Sequence, residues 1–204
     1  MEYPLANPGV FHTVQGEGDL LGLPMVFVRF AGCPVGCSNC DTDYSLAERV
    51  TDLEILIRIK ELTRWKETKW VWFTGGEPAV HNIAPLLRLV ESKGFKTAVA
   101  TSGVRNIWRL SPTFLSVSPH ALDETWVQRA GQQVNVVPGL NGLSIEAIQK
   151  ASDDGLFDRF ESKWITPVWD AKIGQANTGD CIHFINRRPG WKLGVQAHKV
   201  WSIA

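Results

Sequence analysis

The chain has 204 residues, of which 44% are hydrophobic and 21% charged, and its 21 basic and 21 acidic side chains give a formal net charge of zero. This length fits a single domain over residues 1–204 that can bury a core of its own. The neutral balance argues against nucleic-acid and membrane-surface binding. Because there is no long apolar run and no signal-peptide pattern, we expect a cytoplasmic protein.

Residues 1–24 have no clear helix or strand pattern, but Gln15 and Glu17 alternate there with two glycines, Gly16 and Gly18. Glycines allow a backbone to approach a ligand closely, so the two polar side chains could bind a polar heterocycle. The alternative is an ordinary turn with exposed polar groups.

The apolar run at 25–31 predicts a buried strand, and Arg29 lies within it. A charge in such a run is costly unless it is paired. Arg29 therefore either points to an edge of the sheet or binds a ligand carboxylate, for which its position four residues before Cys33 is well placed.

Further along the chain, strands and helices alternate. Thr51 and Glu54 form a capping-box pattern, which predicts a helix with Leu53, Leu56, Ile57 and Lys60 on one face. The other predicted strands are 69–74, 96–101, 113–118, 133–137, 163–168 and 191–196, and the other predicted helices are 81–93, 144–151 and 178–187. The alternation predicts an α/β fold, an abbreviated and open (βα) partial barrel with about six parallel strands and about three main helices.

Three cysteines, Cys33, Cys37 and Cys40, lie within eight residues directly after the first predicted strand. Three thiolates can hold three irons of a 4Fe–4S cluster and leave the fourth iron open for chemistry. The alternatives are a zinc loop and a disulfide framework. A structural zinc site needs a second Cys or His pair, and the sequence offers only the isolated Cys181. Disulfide frameworks are typical of small, cysteine-dense chains, which this chain is not.

Several polar or glycine-rich segments follow the ends of predicted strands. They are Thr74 to Glu77, Thr101 with Ser102, and Ser118 to His120. In parallel barrels chemistry collects at the carboxyl ends of the strands. Alone, a glycine pair followed by Glu77 would mark only a turn.

The cysteine spacing resembles that of radical S-adenosylmethionine (radical SAM) enzymes. Together with the segments 15–18, 28–33, 40–42, 73–78 and 196–199, it resembles the 7-carboxy-7-deazaguanine synthase family from about residue 10 onward. That resemblance implies conversion of 6-carboxy-5,6,7,8-tetrahydropterin to 7-carboxy-7-deazaguanine with loss of ammonia, on the route to queuosine and other deazapurines. It also implies a 4Fe–4S cluster, SAM, Mg²⁺, a flavodoxin- or ferredoxin-like electron donor and a homodimer.

Position by position, the resemblance implies a role for each of the following residues. The cluster would be bound by Cys33, Cys37 and Cys40. SAM would be bound by Asn39, Cys40, Asp41, Gly76, Ser118, Pro119, His120, Thr166, Pro167, Val168 and Trp169. The pterin would be bound by Val14, Gln15, Gly16, Glu17, Arg29, Thr74, His198 and Ala204. Thr42 would bind Mg²⁺, and residues 33–42 and 191–204 would form the cluster loop and a segment closing the substrate site.

The sequence departs from the family pattern at two positions. His120 stands where the family leads us to expect lysine, and Ala204 stands where proline is familiar. A glycyl-radical activase acting on a protein, a non-catalytic zinc module and a regulatory relative that has kept the fold are the competing hypotheses. The segments around Gln15 and His198 argue against the activase.

Overall fold

A computed structural model describes residues 1–37, 40, 42–65, 67–170 and 172–203. Within these ranges the main sheet has nine strands in the order β11-β8-β7-β6-β5-β4-β2-β1-β3, and a short ribbon pairs β9 with β10. The strands are β1 (Glu2–Val14), β2 (Pro24–Phe30), β3 (Glu48–Thr51), β4 (Trp70–Gly75), β5 (Lys96–Thr101), β6 (Phe114–Val117), β7 (Gly131–Val136), β8 (Phe160–Ile165), β9 (Trp169–Asp170), β10 (Gly174–Gln175) and β11 (Trp191–Leu193).

The sheet is parallel from β2 through β11, and only its β1–β3 edge is antiparallel. It is an open sheet and not a closed barrel, which confirms the predicted fold class. The helices in the described ranges are α1 (Asp52–Thr63), α2 (Ala84–Glu91), α3 (Ile145–Asp153), α4 (Thr178–Asn186) and α5 (Ala197–Trp201). None of these helices is long and apolar enough to cross a bilayer.

The two faces of the sheet differ because side chains alternate along each strand. On β2, Val26, Val28 and Phe30 face the helices and belong to the main apolar core, as Val134 and Val136 do on β7. Burying each such side chain stabilises the fold by about 1.5–3 kcal/mol relative to exposure. The opposite face is left free to form a concave interior.

The N-terminal strand β1 was not predicted from the sequence. It pairs with β2 and with β3, but its register with β2 shifts between Leu5 and Val10. Asn7, Pro8 and Gly9 lie in that irregularity, and Gly9 has a positive φ of 74°. Proline and glycine interrupt the alternation that identifies a strand, so the sequence reads as irregular although the pairing continues.

The predicted apolar face of α1 is correct at Leu56 but wrong at Leu53 and Ile57. The helix buries Ile55, Leu56 and Ile59, whereas Leu53 and Ile57 are 61% and 54% exposed. Apolar residues occur around most of this helix, so periodicity alone does not identify the stripe that packs on the sheet. The capping box predicted at its start is present.

Two other segments also differ from the prediction. The helix predicted from 81 begins at Ala84, because a 3₁₀ turn at Pro78–Val80 ends at His81, whose backbone is extended and cannot continue a helix. The strand predicted at 191–196 ends at Leu193, and α5 follows. A three-residue edge strand suffices to pair with β8.

The connection between β1 and β2, residues 15–23, crosses the concave interior of the sheet, and we call it the interior loop. Asp19 lies near its centre and accepts hydrogen bonds from Ser162, Trp164 and Lys192 at 3.0, 3.2 and 2.8 Å. Its backbone N–H donates to Gln133 at 2.7 Å. These partners lie on β7, β8 and β11, so the loop links the β2 side of the sheet to its far edge.

We predict that Asp19→Ala lowers the free energy of unfolding by about 1–3 kcal/mol, because three donors lose their acceptor. Anaerobic urea denaturation followed by tryptophan fluorescence measures the change. Asp154→Ala is the control, since Asp154 forms an exposed ion pair with Lys150 and such pairs contribute little. Equal denaturation midpoints for the two variants would contradict the anchoring role of Asp19.

Candidate active site

The concave face of the sheet encloses a cavity of about 230 Å³, which we call the interior cavity. Its apolar lining includes Phe27, Trp72 and Ala100, which pack with Met25 and Ala98 in a second small core. The rest of its lining is mostly polar. The lining residues are Val14, Gln15, Gly16, Glu17, Phe27, Arg29, Thr42, Trp72, Thr74, Ala100, Ser116, Ser118, Gln133, Gln196 and His198.

Several polar residues of this site are not among those predicted from the sequence. Ser116 and Gln133 line the cavity, and Gln133 donates to Ser116 at 2.9 Å. Asn135, the next inward position on β7, is also buried. The available signal was the alternation of these polar residues with apolar ones along β6 and β7, which indicates a polar interior facing an apolar core.

Glu17 is held on both carboxylate oxygens. Asn135 donates to Oε2 and Gln196 donates to Oε1, each at 3.1 Å. Asn135 in turn accepts a 2.7 Å hydrogen bond from Thr166, and Gln196 accepts one from Lys199 at 3.3 Å. The amides fix the orientation of the carboxylate within the cavity.

The C-terminal segment packs against the interior loop at Gly16. Ala197 donates its backbone N–H to the Gly16 carbonyl at 2.9 Å. A Cβ at residue 16 would lie only 2.6–2.8 Å from Nδ1, Cβ and the backbone nitrogen of His198. Glycine at this position therefore allows His198 to reach the cavity wall.

A second cavity of about 160 Å³, the cysteine cavity, adjoins the first at the carboxyl ends of β4, β5 and β6. All three clustered cysteines line it. Its other lining residues are Val35, Tyr44, Thr74, Gly75, Gly76, Glu77, Ala100, Thr101, Ser102, Ser118 and His120.

The glycine pair Gly75 and Gly76, at the end of β4, packs against the start of the cysteine loop. Gly76 donates to the Phe30 carbonyl at 2.8 Å, and Glu77 donates to the Gly32 carbonyl at 2.9 Å. A Cβ at Gly76 would lie 2.0 Å from the Gly32 carbonyl oxygen, and one at Gly75 would lie 2.3 Å from Phe30 backbone atoms. Only glycine permits this contact, which fixes the backbone that leads into Cys33.

Glu77 is 1% exposed, and its carboxylate is fully hydrogen bonded. One oxygen accepts from Thr101 Oγ1 at 2.7 Å and from the Ala79 N–H at 2.9 Å. The other accepts from the backbone N–H and the hydroxyl of Ser102. A buried carboxylate is stable only with such partners, so Glu77 ties the end of β5 to the glycine turn.

Cys37 and His120 are both partly buried in the cysteine cavity. Burial raises the pKa of Cys37, although a hydrogen bond from Asn141 acts in the opposite direction. Burial also lowers the pKa of His120, and the charge of Glu77 opposes this shift. Without a metal, Cys37 is therefore held as a thiol, and binding a metal would release its proton.

The donor set fits a 4Fe–4S cluster better than a zinc ion. Among the described side chains, no three His, Cys, Asp or Glu residues converge as the ligands of a single ion do. A cluster instead takes each thiolate on a different iron, so three cysteines distributed around one cavity match it. Cys181 lies apart, fully buried in α4, and burial raises its pKa to about 12.

A third cavity of about 110 Å³, the lateral cavity, lies beside the cysteines and is lined by Val168 and Trp169, with Gln196 and Lys199. Pro119, Thr166 and Pro167, also predicted to contact SAM, are buried and do not line these cavities. The other predicted residues with described positions line the interior or the cysteine cavity. Asn39, Asp41 and Ala204 lie outside the described residues.

Comparison with known proteins gives a consistent match. The sequence profile of the Radical SAM superfamily matches residues 27–165. The chain is 36% identical to the 7-carboxy-7-deazaguanine synthase of Escherichia coli K12 over 232 aligned positions covering 100% of both chains. It is 38% identical to the Rhodospirillum rubrum enzyme of the same name, over 96% of this chain and 91% of the relative. The crystal structure of QueE from Escherichia coli superposes with a TM-score of 0.74 at 26% identity, covering 97% of this chain and 95% of the other.

We predict that Glu77→Gln destabilises the protein by about 1–3 kcal/mol, because the new amide has one acceptor oxygen where Glu77 uses two. Glu124→Gln, at an exposed position, removes the same charge without a buried partner and serves as the control. Thermal or urea denaturation of both variants measures the difference. If both retain the wild-type midpoint, Glu77 does not stabilise the end of β5.

Proposed function

The chain belongs to the radical SAM superfamily and, within it, to the 7-carboxy-7-deazaguanine synthase family, and on this basis we propose that it converts 6-carboxy-5,6,7,8-tetrahydropterin to 7-carboxy-7-deazaguanine with loss of ammonia. The reaction is a lyase step in deazapurine biosynthesis.

One observation carries the proposal: the cysteine cavity and the interior cavity share a wall. Thr74, Ala100 and Ser118 line both. The cluster and SAM together supply a carbon radical, which has to meet the substrate over a short distance. Small side chains at the end of three neighbouring strands allow a molecule bound at the cysteines to approach one bound in the interior.

The interior cavity has the chemistry that a carboxylated pterin requires. Glu17 and Gln15 offer acceptors and donors to a heterocycle edge, and Arg29 can neutralise a carboxylate. Gln15 is 5% exposed, and its Nε2 has no partner among the described residues, so it can donate to a bound molecule. Phe27 and Trp72 supply flat apolar surface for the ring.

Mg²⁺ and SAM would occupy neighbouring parts of this site. Thr42 lines the interior cavity together with Arg29, and its hydroxyl oxygen is a reasonable ligand for a hard cation that also meets the substrate carboxylate. We assign the amino-acid end of SAM to Gly76 and Ser118, and its adenosine to the lateral cavity at Val168 and Trp169. Asn39, Asp41 and Ala204 keep their proposed roles from the family resemblance.

The remaining proposals also rest on that resemblance. They are a homodimer, an electron donor such as flavodoxin or ferredoxin, a cytoplasmic location, and closure of the substrate site by residues 191–204. The packing of Ala197 on Gly16 supports the last of these.

The test is anaerobic reconstitution with iron and sulfide, followed by incubation with SAM, a reductant, Mg²⁺ and 6-carboxytetrahydropterin. Chromatography and mass spectrometry then measure 7-carboxy-7-deazaguanine. We predict that Cys37→Ala abolishes product formation and SAM cleavage, because one iron loses its thiolate. Cys181→Ala is the matched control and should retain the cluster and activity.

The assay distinguishes the radical chemistry, the substrate assignment and the identity of the metal site. If SAM is cleaved while the pterin is unchanged, the substrate assignment is wrong but the radical chemistry stands. If the wild-type protein takes up zinc and assembles no cluster, the chain is a zinc module instead.

We further predict that Gly16→Ala weakens pterin binding, raising KM roughly tenfold or more, because the added methyl displaces His198. Cluster content and pterin-independent SAM cleavage should stay at wild-type levels, since the cysteine cavity is not altered. Gly179→Ala, where a Cβ meets no atom within 4 Å, is the control. An unchanged KM for Gly16→Ala would show that the C-terminal segment does not form part of the substrate site.

A further inference from the structure

His120 contacts one of the clustered cysteines directly. Its Nδ1 lies 3.1 Å from Cys37 Sγ, within hydrogen-bond distance for sulfur. His120 follows β6, 83 residues along the chain from Cys37, and it also lines the cysteine and lateral cavities. A metal-bound thiolate carries no proton, so in the loaded protein the hydrogen of this bond must come from Nδ1.

Asn141 lies beside the same loop, because it lines a cavity together with Val35 and His120. Its side chain acts to lower the pKa of Cys37, as a donor to the thiolate would, so we treat it as a second candidate donor. The residue has a left-handed backbone, with φ 49° and ψ 29°, inside the turn Leu140–Gly142. An asparagine can adopt this conformation, and here it directs its amide toward the cysteine loop.

We infer that His120 and Asn141 set the reduction potential of the cluster by donating hydrogen bonds to the Cys37 thiolate. This inference rests on the proposed function, because it requires the cluster. Reduction adds one negative charge to the cluster, and donors to its thiolates stabilise that charge. The two residues therefore make the cluster easier to reduce. Here a histidine, in place of the lysine expected from the family, supplies the donor.

The experiment compares reconstituted wild-type protein with His120→Phe, His120→Asn and Asn141→Gly, without SAM or pterin. Phenylalanine keeps the ring volume without the donor, whereas asparagine places an N–H close to the position of Nδ1. Glycine at 141 keeps the left-handed backbone and removes the amide. Iron content and absorbance establish an intact cluster, and a redox titration followed by electron paramagnetic resonance gives its midpoint potential.

We expect His120→Phe to lower the ratio of reduced to oxidised cluster at a fixed potential by about tenfold. For a one-electron couple this is a lowering of the midpoint potential by about 59 mV. His120→Asn should restore most of this loss, and Asn141→Gly should shift the potential in the same direction as His120→Phe.

Wild-type midpoint potentials in His120→Phe and Asn141→Gly, both with intact clusters, would overturn the inference and leave the proposed function standing. If His120→Phe fails to hold a cluster, the midpoint potential of Asn141→Gly provides the test, and a wild-type value there would overturn the inference. A wild-type protein that assembles no cluster would overturn the proposed function and this inference together.

Discussion

The attachment of the interior loop to the far strands is the constraint on which the site depends. An open sheet exposes its concave face, and a loop between two neighbouring strands has no intrinsic reason to cross it. Asp19 supplies that reason, because a single carboxylate oxygen accepts from Ser162, Trp164 and Lys192 on β8 and β11. The same crossing brings Glu17 to Asn135 and Gln196. The sheet does not close into a barrel, so these hydrogen bonds hold the interior loop across its open face and form one wall of the cavity.

The shared wall of the interior cavity and the cysteine cavity has to satisfy two requirements. The reacting carbon of the substrate has to lie close to the radical source, and each ligand still needs walls of its own. Thr74, Ala100 and Ser118 satisfy both requirements because they are small and end three adjacent strands. Larger side chains at these positions would separate the two bound molecules. The parallel strand order places these three residues side by side, although they are far apart in the sequence.

Features that depend on neighbouring residues, such as helix starts, strands and the cysteine motif, could be predicted from the sequence. The capping pattern at Thr51 correctly predicted the start of α1, and the alternation of strands and helices predicted the parallel sheet. The cysteine spacing together with the flanking segments indicated the family. The sequence did not predict β1, where Pro8 and Gly9 interrupt the pattern, and it predicted only part of the buried face of α1, where apolar residues surround the helix. The alternation of Ser116, Gln133 and Asn135 with apolar residues indicates an inward polar face, but the contact between Ser116 and Gln133 arises only because β6 and β7 lie side by side. Which residues of two strands meet cannot be predicted from the local sequence of either strand.

The segment from Gly75 to Glu77 shows why a motif that implies a binding role need not act through its charged residue. Glu77 is the only ionisable group of the three, yet each of its oxygens is already occupied by donors from the protein. It is therefore a poor candidate for proton transfer or for binding a ligand, which would have to displace two donors from a buried oxygen. Its effect is indirect. By fixing Thr101 and Ser102 it sets the wall of the cysteine cavity, while Gly75 and Gly76 bring their backbone against Phe30 and Gly32. The motif positions a surface, and the small residues within it determine how closely a ligand can approach.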